Sequence, residues 1–168
     1  EGIYIFPGME ISARGGHILA LFDNDASERE LCEFILSLGF TPEQMGFGYQ
    51  ETPLWLDEVC QRIEANGGLA IAAHIDRRPK GFVAATEISN EDKQRIYTSP
   101  HLGGLEITIP QNRALWGQGQ MPGYSLARAC IQGSDAHAPE EVGRRPIYID
   151  LPQWGLDSLR QILRQGDK

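Results

Sequence analysis

Basic charge, cysteine and histidine are all scarce in this chain of 168 residues. Fifteen Lys and Arg stand against twenty-three Asp and Glu, a formal charge of −8. A broad nucleic-acid footprint needs a basic face, so the composition argues against nonspecific grip on a duplex and leaves only a local basic patch open. The three cysteines, Cys32, Cys60 and Cys130, are odd in number and sit inside apolar patterns. That excludes a disulfide scaffold and reads as reduced core residues of a cytoplasmic protein. No apolar run reaches the length a bilayer demands and no signal peptide is visible, so no membrane partner is expected. Repeats and low-complexity segments are missing too. With only His17, His74, His101 and His137 in the chain, the place of each histidine carries weight.

What is present is the composition of one ordinary globular domain over residues 1–168, 41% hydrophobic and 23% charged. β-rich runs are expected at 3–6, 9–12 and 17–22, the last two joined by a tight loop through Gly15-Gly16. Ser27 followed by Glu30 is a capping box. It opens a helix whose face is Leu31, Phe34, Ile35 and Leu38 and which Gly39 ends. Residues 40–51, rich in glycine and aromatics, form a loop. Thr52-Pro53 then starts a second helix with Leu56, Val59, Cys60 and Ile63 on one face. Leu69 to Ala73 is a continuous apolar run, the mark of a strand covered on both faces. Residues 81–88 read weakly as helix, Asn90 caps a short helix through Ile96, and 105–109 is a strand. A long Gln/Gly/Pro loop at 110–123 precedes strands at 127–131 and 146–150, and 155–165 closes as a helix. Alternating strands and helices predict an α/β fold with a largely parallel sheet of about six strands. A barrel accommodates that many two-faced strands better than an open sheet.

The chemistry centres on Gln132-Gly133-Ser134-Asp135-Ala136-His137. In an extended chain Asp135 and His137 point to the same side, because side chains alternate with period two. A carboxylate oxygen and an imidazole nitrogen on one side suit one metal ion. A polar turn in which Asp135 caps a helix and His137 is solvated fits the same residues. Glu10, His74, Asp135 and His137 all fall after apolar strands, and the short loop from Glu10 folds His17 back to the same rim. Parallel barrels collect their sites there. Taken singly, Glu10 is equally a solvated turn residue and each histidine a hydrogen-bonded imidazole. Their joint placement favours a metal site.

Four segments in order, Pro7-Gly8-Met9-Glu10-Ile11-Ser12, Gly16-His17-Ile18-Leu19, Gly68-Leu69-Ala70-Ile71-Ala72-Ala73-His74 and Gly133-Ser134-Asp135-Ala136-His137, resemble the later motifs of PHP (polymerase and histidinol phosphatase) domains. The resemblance implies a distorted (β/α)7 TIM-like barrel and metal-dependent phosphoester hydrolysis with up to three manganese, zinc or iron ions. It implies that Glu10, His17 and His74 ligate one metal, with Glu10 bridging, and that Asp135 and His137 serve the others. Two departures stand out. The family's opening His-x-His pair is absent, and Ile75-Asp76 follows His74 where the family often has Pro. The chain also opens on Glu1 with no Met, so the family's first segment is expected upstream, or else the domain has diverged without it. Some PHP domains of this kind precede a larger module, which would suit a fragment.

The mechanism so implied is attack of a metal-acidified hydroxide on phosphorus near Glu10, with Glu10, Asp135 and His137 as the catalytic set. Arg77 or Arg78, and secondarily Arg14, are the candidate phosphate clamps, against the reading of Arg77-Arg78 as a solvated loop. The substrate is a phosphorylated small molecule, or a nucleic-acid end if the domain is a PHP-type nuclease. The competing class is a metal-binding regulatory module without activity. A barrel short of one strand leaves edges at Ile3–Phe6 and Ile147–Asp150, which invites a homodimer or strand exchange. His101 reads as a loop histidine, and Glu106, costly to bury unpaired, as a support for a ligand.

Overall fold

The computed structural model describes residues 2–165. Its centre is a mixed five-stranded sheet in the order β1 (Gly8–Ala13), β2 (Gly16–Leu21), β3 (Leu69–Ala72), β4 (Leu102–Glu106), β5 (Cys130–Ile131). β1 and β2 form a hairpin in register Ser12↔His17 and Glu10↔Leu19, β3 runs antiparallel to β2, and β3, β4 and β5 are parallel. The expected α/β class is therefore present. The sheet is half antiparallel rather than largely parallel, and its five strands run from one edge to the other without closing into a barrel.

Period-two alternation splits the sheet into two faces. Ile11, Ala13, Ile18, Ala20, Ala70 and Ala72 face one way, into the larger core. That core takes Phe34 and Leu38 from α1 (Glu28–Ser37), Val59, Cys60 and Ile63 from α2 (Leu56–Ala65), and Ile96 and Tyr97 from α3 (Asn90–Thr98). The small residues at Ala20, Ala70 and Ala72 let these helices lie close to the sheet. On the opposite face Leu69 and Ile71 pack with Leu156, Leu159 and Leu163 of α5 (Leu156–Gln165), and Leu19 and Leu21 lean on the same cluster. Residues Glu10, Ser12 and His17 share that second face, toward one end of the strands, where the apolar cover stops. No helix among the described residues is long and apolar enough to cross a membrane.

Several expected elements are shifted. The Ser27–Glu30 capping box forms as expected. The second helix begins at Leu56, after Trp55, whose N–H donates to the Glu58 carboxylate at 2.7 Å. Thr52 instead donates its N–H to Ser12 O (2.9 Å), and Arg14 exchanges bonds with Leu54 and Leu56. Residues 52–56 thus cover part of the outer edge of β1. Residues 3–6 and 146–150 are not strands. Tyr4 is held by its side chain, hydroxyl to Asp23 and ring stacked on Trp154. The edges expected at Ile3–Phe6 and Ile147–Asp150 therefore do not exist, and the described sheet ends at β1 and β5. Segment 81–88 is a series of turns rather than helix, and the 110–123 loop contains a short helix, α4 (Arg113–Gly117). Cys60 and Cys130 are buried as expected, whereas Cys32 is exposed on the outer side of α1.

The expected strand at 127–131 shrinks to Cys130–Ile131 because Arg128 turns aside. Its guanidinium donates to Tyr97 O (2.8 Å), Ser99 O (2.7 Å) and Leu102 O, carbonyls around the end of α3 that have no helical partner. Burial lowers its pKa, yet an arginine stays charged there. Arg128→Leu is expected to cost about 3 kcal/mol in urea unfolding, because it leaves partly buried carbonyls unpaired. Arg128→Lys, lacking the fork, should recover only part of that.

Candidate metal centre

Hairpin register sets the first half of the site. Ser12 and His17 lie directly opposite each other across the β1–β2 pair, and Glu10 is two residues along the same face. Gly16 opens β2 at φ +148°, and a Cβ there would lie 2.8 Å from Lys80 O, too close to be accommodated. His17 Nδ1 meets Glu10 Oε1. From β3 the chain passes Ala73, whose N–H donates to His17 O (3.0 Å), and turns at His74. His74 Nε2 lies 3.2 Å from the same Glu10 Oε1. The three side chains step from rim to floor, 35%, 16% and 3% exposed for Glu10, His17 and His74.

His74 sits at φ 30°, in the left-handed region that β-carbon sterics disfavour. The turn is held from β4. Glu106 Oε2 accepts the His74 N–H at 2.9 Å and Glu106 O accepts the Ile75 N–H at 2.9 Å. Asp76 adds a second tie, accepting from Thr108 N, Thr108 Oγ1 and Ile109 N at 2.8–2.9 Å. Glu106 is 5% exposed and so acts beneath the rim, as a support for His74. Gly133 lies against its carboxylate, and any side chain there would collide with Glu106 Oε1.

The hydrogen-bond network makes the cluster short of a cation. Ser12 Oγ donates to Gly48 O (3.3 Å), which leaves its oxygen to accept from His17 Nε2 at 3.1 Å. With the His17 proton on Nε2, Nδ1 and Glu10 Oε1 are two acceptors face to face, an arrangement that needs a proton or a metal ion between them. When a proton fills that gap, the bond from His17, and then that from His74, holds the Glu10 carboxyl far below the usual carboxylate range. Burial pulls the His74 pKa down, but the bond to Glu10 more than reverses that and leaves it raised. His74 Nδ1 is buried with no hydrogen-bond partner. One carboxylate oxygen and two imidazole nitrogens, all within 4.8 Å of one another, fit a single zinc, manganese or iron ion. Glu10, His17 and His74 thus form a cluster able to hold one divalent ion.

The other expected site residues lie elsewhere. β5 ends at Ile131 and Asp135 is at φ 48°, so the chain is not extended there, although His137 Nδ1 still lies 3.9 Å from Asp135 Oδ1. Asp135 is paired with Arg77. His137 is 81% exposed, its Nδ1–H donating to Asp135 O at 2.9 Å. Neither joins the cluster, and among the described residues Glu10, His17 and His74 are the group that can hold an ion. Arg14 lies over the Trp55 ring, 4.6 Å from its centroid. Arg78 is exposed on the loop after His74. His101 pairs with Glu64 far along the chain, a surface ion pair as a loop histidine would form. Sequence reasoning missed Ser12 and Asp76. The parity of Glu10 and Ser12 on one strand was the available clue to the first.

Fold and cluster together describe an α/β protein with three residues on a mixed sheet that could hold one divalent ion. The crystal structure of the lesion-specific endonuclease PfuEndoQ from Pyrococcus furiosus has the same fold, with a TM-score of 0.65 over 94% of this chain at 15% identity. This chain spans 38% of that structure's length. No protein-family model matches the chain, and neither does any curated protein sequence.

Titration with zinc is expected to give one ion per chain, lost in His17→Ala and His74→Ala. Glu10 is already ionised, so the proton whose displacement by an ion sets the pH dependence is that of His74. Affinity should therefore fall as pH drops through the histidine range, around 6.5 and upward because His74 is raised. Glu106→Leu should weaken zinc binding roughly 10- to 100-fold in calorimetry, while Glu106→Gln, which still accepts the His74 N–H, should retain most of it.

Proposed function

We propose that residues 1–168 act as a PHP-like, metal-dependent phosphoesterase unit and that its substrate is a nucleic-acid phosphodiester. The observation that carries the reading is the face-to-face pair of acceptors, His17 Nδ1 and Glu10 Oε1, beside the buried His74. That arrangement is made for a divalent ion. The four segments that resemble PHP motifs give the ion its chemistry, and the fold likeness to an endonuclease favours a nucleic acid over a small phosphomonoester. An ion held there supplies Lewis-acid polarisation of the phosphoryl group and a water acidified toward neutral pH.

The chain's own residues divide the remaining tasks. Glu10, ionised at any working pH, keeps two imidazoles in place and offers its second oxygen to the site. Ser12 fixes the His17 tautomer. Arg77, on the turn that follows His74, is the phosphate clamp, its guanidinium suited to two phosphoryl oxygens at once. Asp135 holds that guanidinium ready and releases it to the phosphate, while Arg78 adds positive charge on the same loop and Arg14 is a second clamp only for a substrate that reaches the Trp55 side of the hairpin. With a net charge of −8, a single-stranded end suits the chain better than a duplex, whose grip depends on many phosphate contacts.

With manganese added, the chain is expected to hydrolyse single-stranded oligonucleotides faster than a simple phosphomonoester. Glu10→Gln should abolish the activity, and Arg77→Ala should raise KM about tenfold, one charge-assisted contact. Preference for the monoester would move the substrate to phosphorylated small molecules. An ion bound at one per chain with no hydrolysis of either would make this a metal-binding regulatory module. No metal and no hydrolysis would end the reading.

A further inference from the structure

A cavity of about 200 Å3 opens beside the cluster, with Glu10 and Ser12 in its lining. Its walls are the glycine-rich loop between α1 and α2 and the α1 residue Ile35. Phe40, Met45 and Phe47 line it with flat or polarisable apolar surface, and Gln44 and Gln50 place a paired set of amides at the margin, Gln44 Nε2 donating to Gln50 Oε1 at 3.1 Å. Two aromatic rings on this loop are left in water. Phe47 is 52% and Tyr49 75% exposed, their centroids 5.6 Å apart. Exposed rings in a group are costly in hydration and commonly mark a surface that something covers.

Position distinguishes this loop from a stray apolar patch. Gly46 takes φ 82°, which lets the chain turn back and present Phe47 toward the site. Gly48 O accepts the hydrogen bond from Ser12 Oγ, the hydroxyl that also faces His17 Nε2. Loop and metal cluster are thus joined by one side chain. Phe47 and Glu10 line the same cavity, so a group lodged against Phe47 shares it with the Glu10 carboxylate.

We propose that this cavity is a subsite for a flat ring carried by the phosphoester, stacked on Phe47 with its polar edge toward the Gln44 and Gln50 amides. The proposal rests on the phosphoesterase reading for its second half, the phosphoryl group at the cluster. Aromatic platforms accept any base or aryl face, with amides selecting among edges. The ring is therefore a nucleobase or an aryl leaving group.

The zinc-loaded chain is titrated with methylphosphonate, phenylphosphonate and the non-hydrolysable thymidine 5′-phosphonate, by calorimetry and by amide shifts in NMR. Both ring-bearing probes should bind roughly tenfold tighter than methylphosphonate and shift amides within residues 40–50. Phe47→Ala, a half-exposed change that spares the core, should reduce them to the methyl level and leave methylphosphonate unchanged. Thymidine binding tighter than phenyl, with the gain erased in Gln50→Ala, assigns the nucleobase, and the reverse order assigns an aryl ester. Equal affinity for all three, or a Phe47→Ala loss shared by methylphosphonate, overturns the subsite while the phosphoesterase reading stands. No phosphonate binding at all overturns both.

Discussion

Two imidazoles converge on one carboxylate oxygen, and the rest of the molecule is arranged so that they can. Glu10 Oε1 is the common partner of His17 Nδ1 and His74 Nε2. No single strand can bring three such groups together. Glu10 and His17 meet because a hairpin in fixed register puts alternate residues of β1 and β2 on one face. His74 arrives only because β3 pairs with β2 and then turns sharply at its end. The strained φ of His74 is tolerated because Glu106 holds the turn from β4 with a buried carboxylate, while Asp76, on the turn itself, accepts three bonds from Thr108 and Ile109 just past that strand.

The same alternation explains how a polar cluster and a hydrophobic core coexist on one small sheet. Alanines and isoleucines on one side accept three helices, and α5 covers only part of the other. The uncovered end is where charged and polar side chains can reach water and ligand without a large desolvation cost. Arg128 serves the same economy at the far side, neutralising carbonyls around the end of α3 that would otherwise face the interior.

Much of this was legible in the residues, and the places where it was not share a cause. Glu10, His17 and His74 were readable as one site because each adjoins an apolar run. Yet Glu10 lies within β1, and it is strand parity and pairing that unite the three. Asp135 and His137 were expected on an extended chain, but pairing with β4 stops at Ile131 and the backbone turns at Asp135. Ile3–Phe6 and Pro146–Asp150 have β-forming composition but no neighbouring strand to bond. A strand's preference reflects its packing and its partners more than its backbone. The second helix started late for a related reason, since Thr52 and the residues after it were drawn to the edge of β1. Ser12 and Asp76 are ordinary polar residues, and only their neighbours give them a purpose.

The hairpin carrying Glu10 and His17 closes through a two-residue turn, so those donors find each other from local sequence alone. His74 comes from much further along, after two helices have been laid down. An ion gripped by all three is therefore a removable rivet between two pieces of chain far apart in sequence. Its occupancy adds to the free energy of folding in proportion to the logarithm of free ion concentration over the dissociation constant, once that ratio is large. Scarcity of metal in the surrounding medium would then be felt first as a loosening of the β2–β3 seam.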